Sequence, residues 1–449
     1  MNTRRMSLSP MLSRIVFTAA CLLMGVLTGY SSDQIPAKPQ DHPIAIVGAT
    51  IHPVSGPTIE KGTILFDKGI IVGVGASVNL TPNTEVIDGS GKHVYPGFIS
   101  PNTDIGLVEI EAVRASRDMT ETGRINPNVR AEVAVNPESE LIPVLRAAGI
   151  TLAVSAPSGG LMSGTSALMM MDGWTWEEMT LRAPLALYVD WPSMRVSRAR
   201  WMTKTEEEQK KEQEEALEEL MNAFRDARAY MKAKKAETEK GIPYHDTDLR
   251  WESMIPVLEG KIPVVVWADE VRQIQAAVAW AEQENIRIII GGGYDAWRAA
   301  DLLKKKGIPV LAGGIHRLPG RRFEEYDDPY TLPAKLYQAG VRFAIITAGS
   351  AAHERNIPFQ AGTAAAYGLP KDAALKAITL SPAEIFGVAD RVGSLEAGKD
   401  ATLIMTTGDP LEISTGILME YIQGRKIDLT SKHTRLYEKY KEKYKRVKP

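Results

Sequence analysis

The sequence holds one cysteine in 449 residues, Cys21, and it lies inside an apolar run near the N-terminus. A single thiol forms no internal disulfide. If the segment that carries it is cleaved, a cysteine nucleophile and a thiolate metal site are excluded as well. Charge of one sign is also missing: 53 Lys and Arg face 55 Asp and Glu, a net charge of -2 that leaves no nucleic-acid footprint. The apolar run, residues 15–27, is too short and too basic in its flank for a stable spanning helix.

That run reads instead as a signal peptide over residues 1–29. Arg4, Arg5 and Arg14 give the positive n-region, and small residues follow the apolar stretch. Its removal leaves a mature net charge of about -5. The sequence Val26-Leu27-Thr28-Gly29-Tyr30 resembles a bacterial lipoprotein signal, except that Tyr30 stands where the lipidated cysteine would be. Secretion across the inner membrane to the periplasm or cell envelope is the expectation.

What remains is ordinary globular material, 44% apolar and 24% charged, long enough for a large barrel with an accessory domain. After a Pro-containing linker over 30–43, β-branched runs begin at Ile44, Gly62, Ile70 and Thr84, punctuated by Gly, Pro, Asn and Asp. Similar runs return at Asp400 and Leu418. A small β-sandwich built from 44–93 together with 391–429 would therefore enclose everything between. That middle part, 94–390, alternates apolar strands with helix-like stretches ending in Gly149, Gly307 and Gly340. Eight strands are expected, at 94–99, 151–155, 167–171, 185–189, 263–267, 287–290, 309–312 and 342–347. Near-continuous apolar strands in β–α units predict a parallel sheet covered on both faces, and eight of them predict a closed (β/α)8 TIM-type barrel in an α/β protein.

Residues 203–240 interrupt this rhythm with Glu, Lys, Gln and Ala. Thr205 and Glu208 have capping-box spacing, and Leu217, Leu220, Met221, Phe224 and Met231 recur at helical spacing. The expectation is a long inserted helix whose apolar stripe lies on the barrel. The basic tail, 430–449, places Leu436, Tyr440 and Tyr444 four residues apart, which reads as a helix docked through that stripe. Contact with an anionic membrane is the alternative.

Two segments carry a family resemblance. The first is Asp88-Gly-Ser-Gly-Lys-His-Val-Tyr-Pro-Gly-Phe-Ile-Ser. The second runs from Ala373 through Thr379, Ser381 and Phe386 to the Gly393-Ser-Leu-Glu-Ala-Gly-Lys-Asp-Ala-Thr-Leu-Ile stretch. Together they resemble the imidazolonepropionase-like amidohydrolases, members of the metal-dependent amidohydrolase superfamily. The resemblance implies the barrel and accessory domain, hydrolysis of non-peptide C–N bonds in amides or cyclic amides, and zinc or another divalent metal as cofactor. In active members a His-x-His pair ends strand one, where alternate residues share a face and reach one metal.

At those positions this sequence reads Asn102 and Asp104. The strand-five histidine position holds Trp267, strand six ends Gly291-Gly292-Gly293-Tyr294, and strand eight ends Thr347-Ala348-Gly349-Ser350 with no carboxylate. The ligand positions implied by the resemblance are thus not retained. Of the seven histidines, His93 precedes strand one, His42, His52 and His433 lie outside the barrel, and His245 follows the inserted helix. Only His316, after strand seven, and His353, after strand eight, fall on the catalytic face.

Asp104, His316 and His353 are the candidate catalytic residues, and Asn102, Trp267 and Ser350 the candidate ligand-binding ones, with no metal ligand assigned. The triple glycine could cradle an anion or pack strand on helix. Trp267 could stack on a ring-shaped ligand or plug a volume. Three functions stay open: a metal-poor C–N hydrolase, a non-catalytic small-molecule binder, and a subunit that pairs with itself or with an active relative.

Overall fold

The computed structural model describes residues 34–240, 244, 246–348 and 350–446. The signal-peptide expectation, Gly349 and His245 lie outside the described residues. From Pro36 onward the chain packs as one unit.

Five strands open it: β1 (Ile44–Ile51), β2 (Ile59–Asp67), β3 (Ile70–Gly75), β4 (Glu85–Asp88) and β5 (His93–Pro96). Eight follow: β6 (Phe98–Thr103), β7 (Ile150–Ser155), β8 (Met162–Met170), β9 (Thr180–Asp190), β10 (Val264–Ala268), β11 (Ile288–Gly292), β12 (Val310–Gly313) and β13 (Phe343–Ile346). The last three are β14 (Leu403–Thr406), β15 (Ile417–Ile422) and β16 (Arg425–Lys426).

Both chain ends build one sheet, in the order β16-β15-β14-β5-β1-β2-β3 with β4 beside β1. Phe66 on β2 and Tyr421 on β15 meet edge to face with ring centroids 4.9 Å apart. Four strand steps separate those strands, about 19 Å in a flat sheet at ~4.8 Å per step. The sheet therefore curls over a core of Ile46, Ile64, Phe66, Leu403 and Tyr421, as a sandwich does within one hydrogen-bonded sheet.

The middle strands form the nearly closed eight-stranded barrel, β13-β12-β11-β10-β9-β8-β7-β6. Two details differ from the sequence expectation. The stretch expected as one strand from Val94 to Ile99 is two strands: β5 pairs with β14 and β1, and β6 starts the barrel. Gly97 marks the break, because a Cβ there would lie 2.2 Å from the Thr151 hydroxyl. Second, β8 runs antiparallel to both β7 and β9 where a uniformly parallel sheet was expected. Only residues 156–161 join β7 to β8, with Gly159 and Gly160 at positive φ. A parallel return needs a crossover of a dozen or more residues, so this connection can only be a hairpin.

The inserted helix spans Glu206–Lys240. The Thr205–Glu208 box forms, with the Thr205 N–H donating to Glu208 Oε2 at 2.7 Å and the Glu208 N–H to Thr205 Oγ1 at 3.2 Å. Leu220, Phe224 and Ala227 are buried, and Phe224 meets Trp280 edge to face. The tail forms a helix, Lys432–Arg446, but buries none of its residues. The expectation of a docked stripe is corrected there: tyrosines separated by Lys and Glu offer too little apolar surface to hold the helix down. Among the described residues no helix is long and apolar enough to cross a membrane.

Candidate functional site

The C-terminal ends of the barrel strands converge on one mouth. Which side chains point into it follows from β9. Trp191, just past the strand, packs on Trp280 of the outer helix Val271–Glu284, with centroids 5.4 Å apart. Odd-numbered residues there face outward, so Tyr188 and Asp190 face the barrel interior. The register pairs Trp267 of β10 with Asp190 on one side and Gly291 of β11 on the other. The indole thus lies on the interior face next to the Asp190 carboxylate. A Cβ on Gly291 would sit 3.0 Å from its ring.

The glycine run serves this packing. Gly292, at φ 77°, leaves no room for a Cβ, which would lie 2.2 Å from Asp269 Oδ1. The segment after it is a 3-10 turn, Ala296–Ala299, before a seven-residue helix, so no long helix aims its N-terminus at the mouth.

Asp269 ends β10. Burial pushes its carboxyl up to about 6, while the Tyr294 N–H, Arg317 and Arg321 hold it down and Asp295 raises it. Its Oδ1 is buried without a hydrogen-bond partner. Around it the neighbouring charges are already paired. Arg321 grips Asp295 through two 2.8 Å bonds and donates to Glu324 at 2.6 Å. Arg317 donates to Glu324 at 3.0 Å and stacks 4.0 Å over the Tyr294 ring. Burial raises Glu324, but these arginines and the Gly320 N–H take it down to about 2.

Across the mouth, where β6 meets β13, Asp104 accepts the Ala351 N–H at 2.8 Å and is raised above the usual carboxylate range by burial. Behind it Glu354 has no solvent exposure. Burial lifts Glu354 to about 8, against the hydroxyls of Thr347, Thr103 and Ser100. Thr347 Oγ1 lies 2.7 and 3.1 Å from its two oxygens. A carboxyl with that value is protonated at neutral pH and completes the seam as a neutral group.

The other candidates from the sequence sit more loosely. Ser350 Oγ and His353 Nδ1 are 3.3 Å apart in one exposed turn. His316 is exposed, its Nε2 2.8 Å from Thr363 Oγ1, and burial of the ring lowers its pKa. No hydrogen bond joins Asp104, His316 and His353 to one another; each has its own local partner. Asn102 lies on β6 with a buried Oδ1 that has no partner.

Sequence reasoning missed Asp190, Asp269 and Glu354. A usable signal existed for the first: it is a carboxylate directly after an apolar strand, the position a barrel uses for chemistry. Among the described residues no group of three or more His, Cys, Asp or Glu converges as a metal-binding set. A cavity of about 750 Å³ opens elsewhere, at the base, lined by Lys68, Trp174, Arg391, Asp400 and Arg425.

Residues 330–432 match the model of the Amidohydrolase family. The chain is 21% identical over 396 residues to "Amidohydrolase tasK" of Hapsidospora irregularis, covering 81% of this chain and 39% of that protein. It thus spans about two fifths of the length of the curated relative it matches. A solved amidohydrolase from Thermotoga maritima superposes with a TM-score of 0.76 at 26% identity, over 86% of this chain and 99% of that one. A zinc-bound adenosine deaminase from Xanthomonas campestris shares the fold, with a TM-score of 0.50 at 15% identity over 91% of this chain and 100% of that one.

Proposed function

We propose that the chain is a member of the amidohydrolase superfamily whose barrel mouth binds a small amide or cyclic amide without the tightly held zinc of a hydrolytic site, a reading supported by the family match and the similar fold. One observation carries this reading: an indole, Trp267, stands on the interior face at the strand-five position, where the resemblance leads one to expect an imidazole ligand. The donor chemistry around it agrees. Zinc in a catalytic site takes about three nitrogen, sulfur or carboxylate ligands at one point. Here Asn102, Asp104, Trp267, the glycines of β11 and Gly349 or Ser350 occupy the implied positions, and Asp104 alone among them offers a side chain that suits that ion. A partly buried indole offers a stacking face and one N–H, which suits a planar amide.

Hydrolysis of non-peptide C–N bonds is the activity class the family brings. A second reading keeps it, and Asp269 favours it. A carboxyl raised to about 6 by burial, with one oxygen that accepts no hydrogen bond from the protein, suits a general base near neutral pH. It would take a proton from water as the oxygen attacks the amide carbon, then return it to the leaving nitrogen as the C–N bond breaks. Activity that rises through a single ionisation near pH 6 and vanishes in Asp269→Asn would select this reading over binding alone.

Substitution of Trp267→Ala tests the mouth itself. If the ring recognises ligand, affinity for a bound amide falls and the fold holds. If the ring is only a plug, affinity is unchanged and the cavity costs on the order of 3–5 kcal/mol. The proposal also places the protein in the periplasm or cell envelope, alone or paired with itself or an active relative. An intact Met1 in cytosolic material would contradict that location.

A further inference from the structure

Most of the polar groups left open at the mouth are acceptors, with the buried Arg317 Nε–H a donor among them. The Asp190 side chain makes no hydrogen bond and no ion pair among the described residues, and burial alone raises its carboxyl. Asp269 Oδ1 and Asn102 Oδ1 are buried acceptors without donors. One step deeper on the Asp190 face, Tyr188 is 1% exposed, with its hydroxyl beside that of Ser166. The neighbouring Ser166 hydroxyl gives its proton to the Ala186 carbonyl at 3.4 Å. The cations closest to Asp269 are engaged: Arg317 by Glu324 and the Tyr294 ring, Arg321 by Asp295 and Glu324.

Buried acceptors without donors are costly and uncommon, and a lone half-buried carboxylate more so. At the base of the same barrel Asp172 is paired with Arg146 and Arg425, and the neighbouring Glu420, buried without a hydrogen bond, has the Arg146 charge beside it. Asp190 has no such partner. What stands beside it, one strand away at about 4.8 Å, is the Trp267 indole on the same face. An anionic group next to an aromatic face is the arrangement that selects a cation, because the carboxylate supplies charge and the ring quadrupole supplies attraction in a partly desolvated place.

From this juxtaposition we infer that the mouth recognises a positively charged ligand, an amide that also bears an ammonium or guanidinium group, with the cation held between Asp190 and the Trp267 face. The unpaired acceptors Asp269 Oδ1 and Asn102 Oδ1 take the donor hydrogens of the same molecule. This inference rests on the reading of the mouth as an amide-binding site and adds the charge of the ligand to it.

The test uses the full mature chain and two probes that differ only in the ammonium: L-phenylalaninamide and 3-phenylpropanamide, titrated by calorimetry at neutral pH. The wild type should bind the cationic probe about tenfold or more tightly, the range that a desolvated cation–π contact and a charge pair supply. In Asp190→Asn the preference for the cationic probe should collapse to about twofold or less. Equal binding of both probes by the wild type, or a preference that survives Asp190→Asn, overturns the cation inference and leaves the amide-binding mouth standing. Binding of neither probe by the wild type overturns both. If Asp190→Asn misfolds, Asp190→Glu keeps the charge and should keep the preference; its loss there, with the circular dichroism spectrum unchanged, also counts against the inference.

Discussion

At the base of the barrel, Asp172 accepts from Arg146 at 2.8 Å, from Arg425 at 3.1 Å and from the Ala37 N–H at 3.2 Å. At the mouth, Asp190 accepts from nothing. Both acids are raised by burial, and at Asp172 the two arginines pull against that burial. The base is where the last strand of the curled sheet, through Arg425, meets the barrel, and there Asp172 is matched by two arginines, while the fully buried Glu420 beside them has no hydrogen bond to either oxygen. The mouth buries acceptors and leaves them open. The Asp172 pairing ties the two parts of the fold together, whereas the lone half-buried Asp190 carboxylate adds nothing to stability and suits a ligand.

Substitutions at the two ends should therefore differ in sign. Asp172→Ala leaves two buried guanidinium groups without their acid and should cost on the order of 3–5 kcal/mol, read as a large drop in the denaturation midpoint. A loss under about 1 kcal/mol would mean that the junction is held by apolar contacts alone.

Glu354 comes next. Its folded value, about 8, lies above the ordinary 4.5, so its stabilising proton is fully present below 4.5 and is lost as pH rises through about 8. Stability should fall across that window, and Glu354→Gln should flatten the slope by on the order of 1–4 kcal/mol at the alkaline end. An unchanged slope would place the carboxyl in a wetter setting than the seam implies.

Asp190→Asn removes a half-buried charge with no partner and should leave the melting temperature unchanged or raise it, by about 1 kcal/mol at most. A loss like that of Asp172→Ala would dissolve the contrast between mouth and base. Smallest of all is the tail. Deleting residues 432–449 removes a helix with no buried side chain, tied by the exposed Arg435–Glu140 pair at 3.3 Å, and should shift stability by less than about 0.5 kcal/mol.

The architecture was legible because apolar runs and glycine stops repeat along the chain. The strand expected at 263–267 is Val264–Ala268, and that at 309–312 is Val310–Gly313. Direction was harder to read. Met162–Met170 is as apolar as its neighbours, and nothing in periodicity tells an antiparallel strand from a parallel one. The six-residue link before it held that information. At the site, the histidines drew attention because imidazole is rare here, yet His316 and His353 lie on exposed loops. Asp190 and Glu354 are unremarkable as letters among 55 acids. Only the register beside Trp267 and the burial behind Thr347 distinguish them, and both arise from contacts distant in sequence.

The central claim is that the mouth receives its ligand without a tightly held metal. Elemental analysis of protein purified without chelator tests it most directly. The donor set of Asn102, Asp104, Trp267 and Ser350 leads to zinc and iron far below one ion per chain. Near-stoichiometric zinc or iron that survives dialysis would contradict it and restore metal hydrolysis to this barrel.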